Sequence, residues 1–324
     1  MAEAAPLVSV ILPLGNGLPI VGKLLDQLEN QTCIDVLELV VIDFGSSDGS
    51  LDRVKAYAAK HPLTTVVKTP KGRGITSWFN EGIRHARGEF ILLTAEDCYP
   101  LAMDAVARAV QRVREDPNPL TWAGPTVLHP RELWEGYDFW NKLWFSREAG
   151  RICRGCVAAK FDVFRKEGFE RLGHLDDEAF RFCGDADFYL RLQAAGGHLV
   201  ASDVEIIHAH GVGKRDGLKD YLLREMLYGE MAGALRRHYP LDRSGRWYGV
   251  MTKPLLCIGS LIPHVWWFSW PLLLLYAICY RPGAYTIPDL RTFLTPLFNL
   301  AGLYAFTMGY ARGLFTGKQS LAVK

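Results

Sequence analysis

The chain has 324 residues, of which 22% are charged, and its formal net charge is only +2. Such a balance excludes a global field strong enough to recruit nucleic acid, and the length suits one large α/β domain carrying an appendage.

Val8–Leu12 is a short β-branched run closed by Pro13 and by the turn formers Gly15, Asn16 and Gly17. Residues 20–30 carry apolar side chains at helical spacing, and Leu37–Asp43 reads as a second, buried strand, which completes a right-handed β-α-β unit. Ser47 or Asp48 can cap the next helix, which continues through Val54 and Ala58 to Lys60. A third strand is expected at Thr64–Lys68, a helix at Ile75–Ala86, a fourth strand at Phe90–Leu93, a helix at Ala102–Arg114 and a strand at Thr121–Val127. Strands and helices alternate throughout this half, the pattern of a doubly wound sheet. Trp134, Trp140 and Trp144 follow at helical spacing and read first as core. A last strand, Val204–Ile207, leads into His208-Ala209-His210.

Seven cysteines are scattered along the chain, and the Cys153-x-x-Cys156 pair has no second pair at zinc-finger spacing, so free thiols in a reducing compartment are expected. The stretch MAEAAPLVSV lacks the basic segment and apolar core of a cleaved secretory signal.

Acidic residues cluster at three predicted loop positions: Asp43, the Glu96-Asp97 pair, and Asp185 with Asp187. Together with the His-x-His and the basic, glycine-rich turn around Arg73, they suggest a polyanionic ligand held with a divalent cation such as Mg²⁺ or Mn²⁺. Four stretches then share one resemblance. VSVILPLGN is similar to VSVIIPTYN, and LELVVIDFGSSDGS to EIIVVDDGSTDGT. GRGITSWFNEGIRHARGEFILLTAED follows the path from a Gly-rich turn to a DxD-type metal motif, and GDADFYLRLQAAGG is similar to EDxDLxLRLxxAG. In order and spacing these resemble the family 2 glycosyltransferases, inverting enzymes that move a sugar from a nucleotide-sugar donor.

The resemblance implies a GT-A-type doubly wound mixed sheet flanked by helices. It puts the donor against Pro13, Gly15, Asp43, Phe44, Arg73 and Glu96, and the metal, Mn²⁺ or Mg²⁺, on Asp97 with His208 or His210. Either histidine can equally be a structural, hydrogen-bonded one. It makes Asp185 the general base that takes the proton of the acceptor hydroxyl. Trp140, Asp187 and Arg224 are candidates for acceptor contact, although Asp187 at a helix start can simply hold its loop. Gly15, Phe44 and Gly184 depart from the pattern, where Tyr, Asp and Glu are common. Phe44 either stacks on the base or turns inward and reshapes the pocket.

Beyond the catalytic region, taken as 1–240, the remainder (241–324) is apolar, with candidate membrane segments at 254–280 and 293–311. Pro263 and Pro271 can divide the first into pieces that lie in the interface, and Trp266, Trp267 and Trp270 suit the headgroup zone. Arg236, Arg237, Arg243, Arg246 and Lys253 precede these segments, Arg281 and Arg291 lie between them, and Arg312, Lys318 and Lys324 follow. This distribution predicts a membrane-associated enzyme on the cytoplasmic face of the inner (plasma) membrane, acting on a lipid-linked or other glycan acceptor. Two alternatives stand beside it, a nucleotidyltransferase-like enzyme and a non-catalytic, membrane-bound partner.

Overall fold

The structure is a computed structural model that describes residues 7–154, 159–239 and 246–319. In chain order the strands and helices are β1 (Val8–Leu14), α1 (Ile20–Glu29), β2 (Leu37–Asp43), α2 (Ser50–Ala58), β3 (Thr64–Lys68), α3 (Ile75–His85), β4 (Phe90–Leu93), β5 (Cys98–Pro100) and α4 (Ala105–Glu115). There follow β6 (Trp122–Leu128), α5 (Arg131–Glu135), α6 (Phe139–Phe145), β7 (Ile152–Cys153), β8 (Asp162–Arg165), α7 (Lys166–Leu172), α8 (Gly184–Ala194) and β9 (Leu199–His208). The last helices are α9 (Leu218–His238), α10 (Arg246–Gly259), α11 (Trp266–Cys279) and α12 (Thr295–Thr316).

These elements form two compact units. The first contains the described residues up to Pro130, Gly150–Asp177 and Arg181–Gly213. The second contains Arg131–Ala149, Glu178–Phe180 and the described residues from Lys214 onward. The expected boundary at 240 lies outside the described residues, as do Cys156, Arg243 and Lys324.

In the first unit a nine-stranded mixed sheet runs β3-β2-β1-β4-β8-β6-β9-β5, with β7 added to β6. β1, β2, β3 and β4 are parallel, whereas β8 is antiparallel to both β4 and β6. Every residue of β1 and β2 is buried, because both faces of the sheet are covered. Leu12, Leu39 and Val41 turn toward α1, α2 and α4, while Ile11, Val40 and Ile42 turn toward Trp78, Phe79 and Ile83 of α3 and Phe188 of α8. Leu14 is registered with Asp43, and Ile11 with Leu93. Hence the residues that leave β1, β2 and β4 emerge side by side at one edge of the sheet.

The second unit is helical. α9 and α12 run parallel in close contact, since a Cβ on Gly229 or Gly233 would stand 2.0 or 2.1 Å from the carbonyl oxygen of Phe306 or Tyr310. Gly309 and Gly313 meet Met226 and Glu230 in the same way, each at 2.0 Å. Contacts that recur every four residues on both helices are those of i±4 ridges, brought close by small residues. The tryptophans of the aromatic stretch serve as core here: Trp134 is buried with its Nε1 donating to the Lys142 carbonyl at 2.9 Å, and Trp140 packs edge-on against Phe298 at 4.9 Å between centroids.

The apolar tail departs from the expected spans. No helix among the described residues is long and apolar enough to cross a membrane. The first segment is cut between Gly259 and Trp266, where Pro263 and His264, the latter with φ of +70°, make a turn. α10 and α11 are 14 residues each, about 21 Å of helix against a hydrocarbon core of about 30 Å. α12 has the length, but it places Asn299 in its buried face and Arg312 near its end.

Candidate active site

The candidate site is assembled at the edge where β1, β2 and β4 end. Glu96 reaches back across it, and its Oε2 accepts the Gly15 N–H at 2.5 Å. Asn16, at φ of +62°, accepts the Ser47 N–H on its Oδ1 at 2.7 Å, and Asp48 Oδ2 accepts the Leu18 N–H at 2.9 Å. The loop after β1 is thus stitched to the loop after β2. Asp43 is buried and spends one oxygen on the Ser46 N–H at 3.0 Å. Pro13 stays inside β1, paired with Ile42, and Arg73 lies exposed on its turn.

Phe44 turns inward. Its ring lies flat on Trp78, with centroids 3.6 Å apart and planes within 2°. It also fills the space above Gly15, where a Cβ would stand 2.0 Å from Phe44 Cε2. The two departures from the family pattern are therefore one event, a ring taking the room of the missing side chain. Gly184 has a comparable cause, since a Cβ there would stand 2.3 Å from Thr76 Cγ2. Its N–H donates to Thr76 Oγ1 at 3.1 Å.

Asp97, His208 and His210 come together because β5 pairs antiparallel with β9. Cys98 is registered with His208, and the Ala209 N–H donates to the Asp97 carbonyl at 2.9 Å. His210 Nδ1 is 2.7 Å from Asp97 Oδ2, and His208 Nε2 is 3.7 Å from the same oxygen. One ligand atom from each lies within 4.8 Å of the others, so these three can hold one cation. Two imidazoles and a carboxylate can hold a divalent metal, and the Asp97 carboxylate supplies the hard oxygen ligand that Mn²⁺ favours. Burial alone would raise the Asp97 carboxyl, yet the two histidines outweigh it and hold it well below its ordinary range. Burial, reinforced by the ammonium of Lys160, lowers His208 to about 3, which leaves its imidazole neutral.

Lys160 is the site residue that the sequence did not reveal. Its Nζ lies 3.0 Å from His208 Nδ1, and its charge is also felt at Asp185. It follows a stretch with no recognisable motif, so only the β4–β8 pairing puts it here. Asp185 stands in the first turn of α8, and burial raises its carboxyl to about 6, against the downward pull of the Ala186 N–H. Asp187 is committed elsewhere, to Arg191 Nε at 2.8 Å, and the same Arg191 donates to the Leu172 and His174 carbonyls. Trp140 and Arg224 belong to the helical unit, where Arg224 ion-pairs with Asp216.

Residues 9–168 match the family model described as glycosyl transferase family 2. The chain belongs to the family 2 glycosyltransferases. This glycosyltransferase is 27% identical over 189 residues, 58% of its length, to the PGL/p-HBAD biosynthesis glycosyltransferase of Mycobacterium bovis, of which the match covers 70%. It also resembles the uncharacterized glycosyltransferase EpsJ of Bacillus subtilis, at 26% identity over 57% of this chain and 55% of that one. Among solved structures, the mannosyltransferase PcManGT of Pyrobaculum calidifontis, in complex with GDP-Man and Mn²⁺, superposes with a TM-score of 0.63 at 21% identity. That superposition covers 95% of this chain and 87% of the other, and it establishes the GT-A-type fold. Membership of a glycosyltransferase family sets aside the nucleotidyltransferase as a reading of this chain.

Proposed function

We propose that this glycosyltransferase moves a sugar, with inversion, from a nucleotide-sugar to a hydroxyl of a lipid-linked glycan acceptor, in the synthesis of a cell-surface polysaccharide or glycolipid. The observation that carries the reading is the pairing of a carboxyl poised near 6, Asp185, with the Asp97, His208 and His210 cluster at the same end of the sheet. The acceptor oxygen attacks the anomeric carbon as the bond to the nucleoside diphosphate breaks, and the Asp185 carboxylate takes the acceptor proton. Asp97, His208 and His210 would hold Mn²⁺ or Mg²⁺, which as a Lewis acid neutralises charge on the diphosphate. The Mn²⁺ bound by PcManGT, and the UDP and Mn²⁺ bound by the more distant GalNAc-T7 (TM-score 0.51), support this reading.

The donor's base would lie near Gly15, Asp43 and Phe44, with Arg73 and Glu96 toward its phosphates and sugar. Phe44 brings no hydrogen-bonding edge, so the site discriminates less sharply among bases than one with a carboxylate there. A membrane acceptor is supported by the apolar side chains that the helical unit leaves in solvent, among them Trp267, Phe268, Leu290, Phe293 and Phe315, each more than 70% exposed. Helices too short to span would rest in the interface, on the cytoplasmic face where the nucleotide-sugars are found. The test is thermal unfolding with Mn²⁺ and a panel of nucleoside diphosphates, followed by transfer assays on lipid-linked acceptors. A stability increase with one base names the donor class. The absence of any increase would remove the donor reading.

A further inference from the structure

Three cations, Arg281, Lys253 and Arg147, gather around the Tyr280 ring in the helical unit, and one of them is paired with a carboxylate. Arg281, 3% exposed, donates Nη2 to Glu225 Oε1 at 2.5 Å and Nη1 to the Leu143 carbonyl at 2.9 Å, with a further bond to the Trp144 carbonyl. That pair is complete. Lys253 and Arg147 remain, and both converge on one phenol. Lys253 Nζ donates to the Tyr280 hydroxyl at 2.6 Å, and the Arg147 guanidinium lies 5.1 Å from the centroid of the same ring.

Among the described residues the contacts of Lys253 and Arg147 are with the Tyr280 hydroxyl and with aromatic rings rather than with a carboxylate. Lys253 is instead enclosed by rings, with its ammonium 4.1 Å from the Phe306 centroid and 4.7 Å from that of Tyr280. Such contacts offset only part of the cost of withdrawing an ammonium from water. Burial lowers its pKa, Glu225 opposes that shift, and the repulsion of Arg281 and Arg147 adds to it. The Arg281 Nε is also buried and has no hydrogen-bond partner. A partly buried ammonium with no carboxylate bonded to it is what an anion would relieve.

We propose that Lys253, Arg147 and the Tyr280 hydroxyl form a phosphate-binding site in the helical unit. A compact ammonium, a planar fork and a hydroxyl present donors from different directions, which suits a tetrahedral oxyanion better than a flat carboxylate. The same helices expose Leu255, Ile258, Leu274, Leu275 and Ile278, so the phosphate arrives on an amphiphile with a long apolar chain. That source rests on the membrane reading given above, whereas the phosphate site itself does not.

The experiment uses the full chain in detergent, with farnesyl phosphate, farnesol and inorganic phosphate as probes, followed by calorimetry and thermal unfolding. Farnesyl phosphate is expected to bind and to raise the Tm, and Arg147→Gln and Lys253→Gln are each expected to weaken it by about tenfold or more. Arg147 is exposed, so its variant keeps the test valid even where Lys253→Gln impairs folding. Binding of inorganic phosphate with the same loss in the variants supports the site and names free phosphate as a second source. Equal binding of farnesol and farnesyl phosphate, unchanged in both variants, overturns the site and leaves the membrane reading standing. No binding of any probe overturns both.

Discussion

The ring of Phe44 occupies the place that a side chain on Gly15 would need, at 2.0 Å from the Cβ position, while its face lies flat against Trp78. The two positions are therefore coupled. Gly15→Ala is expected to cost about 1–3 kcal/mol through overpacking, and Phe44→Ala in the same chain to recover much of it. Chemical denaturation of the two single variants and the double variant measures the coupling. Additive losses would show that the ring moves aside freely.

Asp185 should reveal its role through two opposite effects. Asp185→Asn is expected to lower kcat by about 10²–10⁴-fold while nucleoside diphosphate binding is kept, and wild-type kcat/KM should fall on the acid side with an apparent pKa about 6. For stability, the folded carboxyl titrates higher than the unfolded one at about 3.9. The folded state thus holds the extra proton between the two values, and stability falls as pH rises through that window. The Asn variant lacks the penalty and should be more stable than wild type at pH 8 by about 3 kcal/mol. Denaturant melts at pH 4 and pH 8 check this, and a variant less stable at pH 8 would contradict it.

Asp97 and Lys160 should shift metal binding in opposite directions. Asp97→Asn removes the one anionic ligand and is expected to weaken Mn²⁺ binding by about 100-fold or more. Lys160→Met removes a cation 3.0 Å from His208. It should strengthen Mn²⁺ binding in the absence of nucleotide and weaken the binding of nucleoside diphosphates. Titration calorimetry with Mn²⁺ alone, then with nucleotide, separates the two effects.

The α9–α12 pair should be intolerant of even one methyl group. A Cβ at Gly309 would stand 2.0 Å from the Met226 carbonyl oxygen, and backbone cannot move aside as a flexible side chain can. Gly309→Ala is expected to cost about 2 kcal/mol or more. Gly22→Ala in α1, where the nearest atom is a flexible side-chain nitrogen 3.9 Å away, is the helical control and should stay within about 1 kcal/mol. Thermal melts in detergent compare the two.

The parallel half of the sheet was legible in the sequence because β1, β2 and β4 are buried on both faces and β3, though only partly covered at the sheet's edge, is a compact β-branched run. Leu37–Asp43, Thr64–Lys68 and Phe90–Leu93 have their expected limits, since each is an unbroken β-forming run bounded by turn residues. β5 and β8, three and four residues long, carry no such run, and their existence depends on partners far along the chain. Lys160 was hidden for the same reason. In the first apolar stretch Pro263 marks the observed break, whereas Pro271 lies within α11; the glycines that draw α9 to α12 work through backbone contact, which hydropathy does not report.

The pairing of β5 with β9 has a thermodynamic consequence. A three-residue strand has little stability of its own, yet its register with His208 sets the distance between Asp97 and both imidazoles. Any cation gripped by these three side chains would be gripping the rim of the sheet as well. Ion affinity and the slow exchange of the Cys98 and Ala209 amide protons would then rise and fall together.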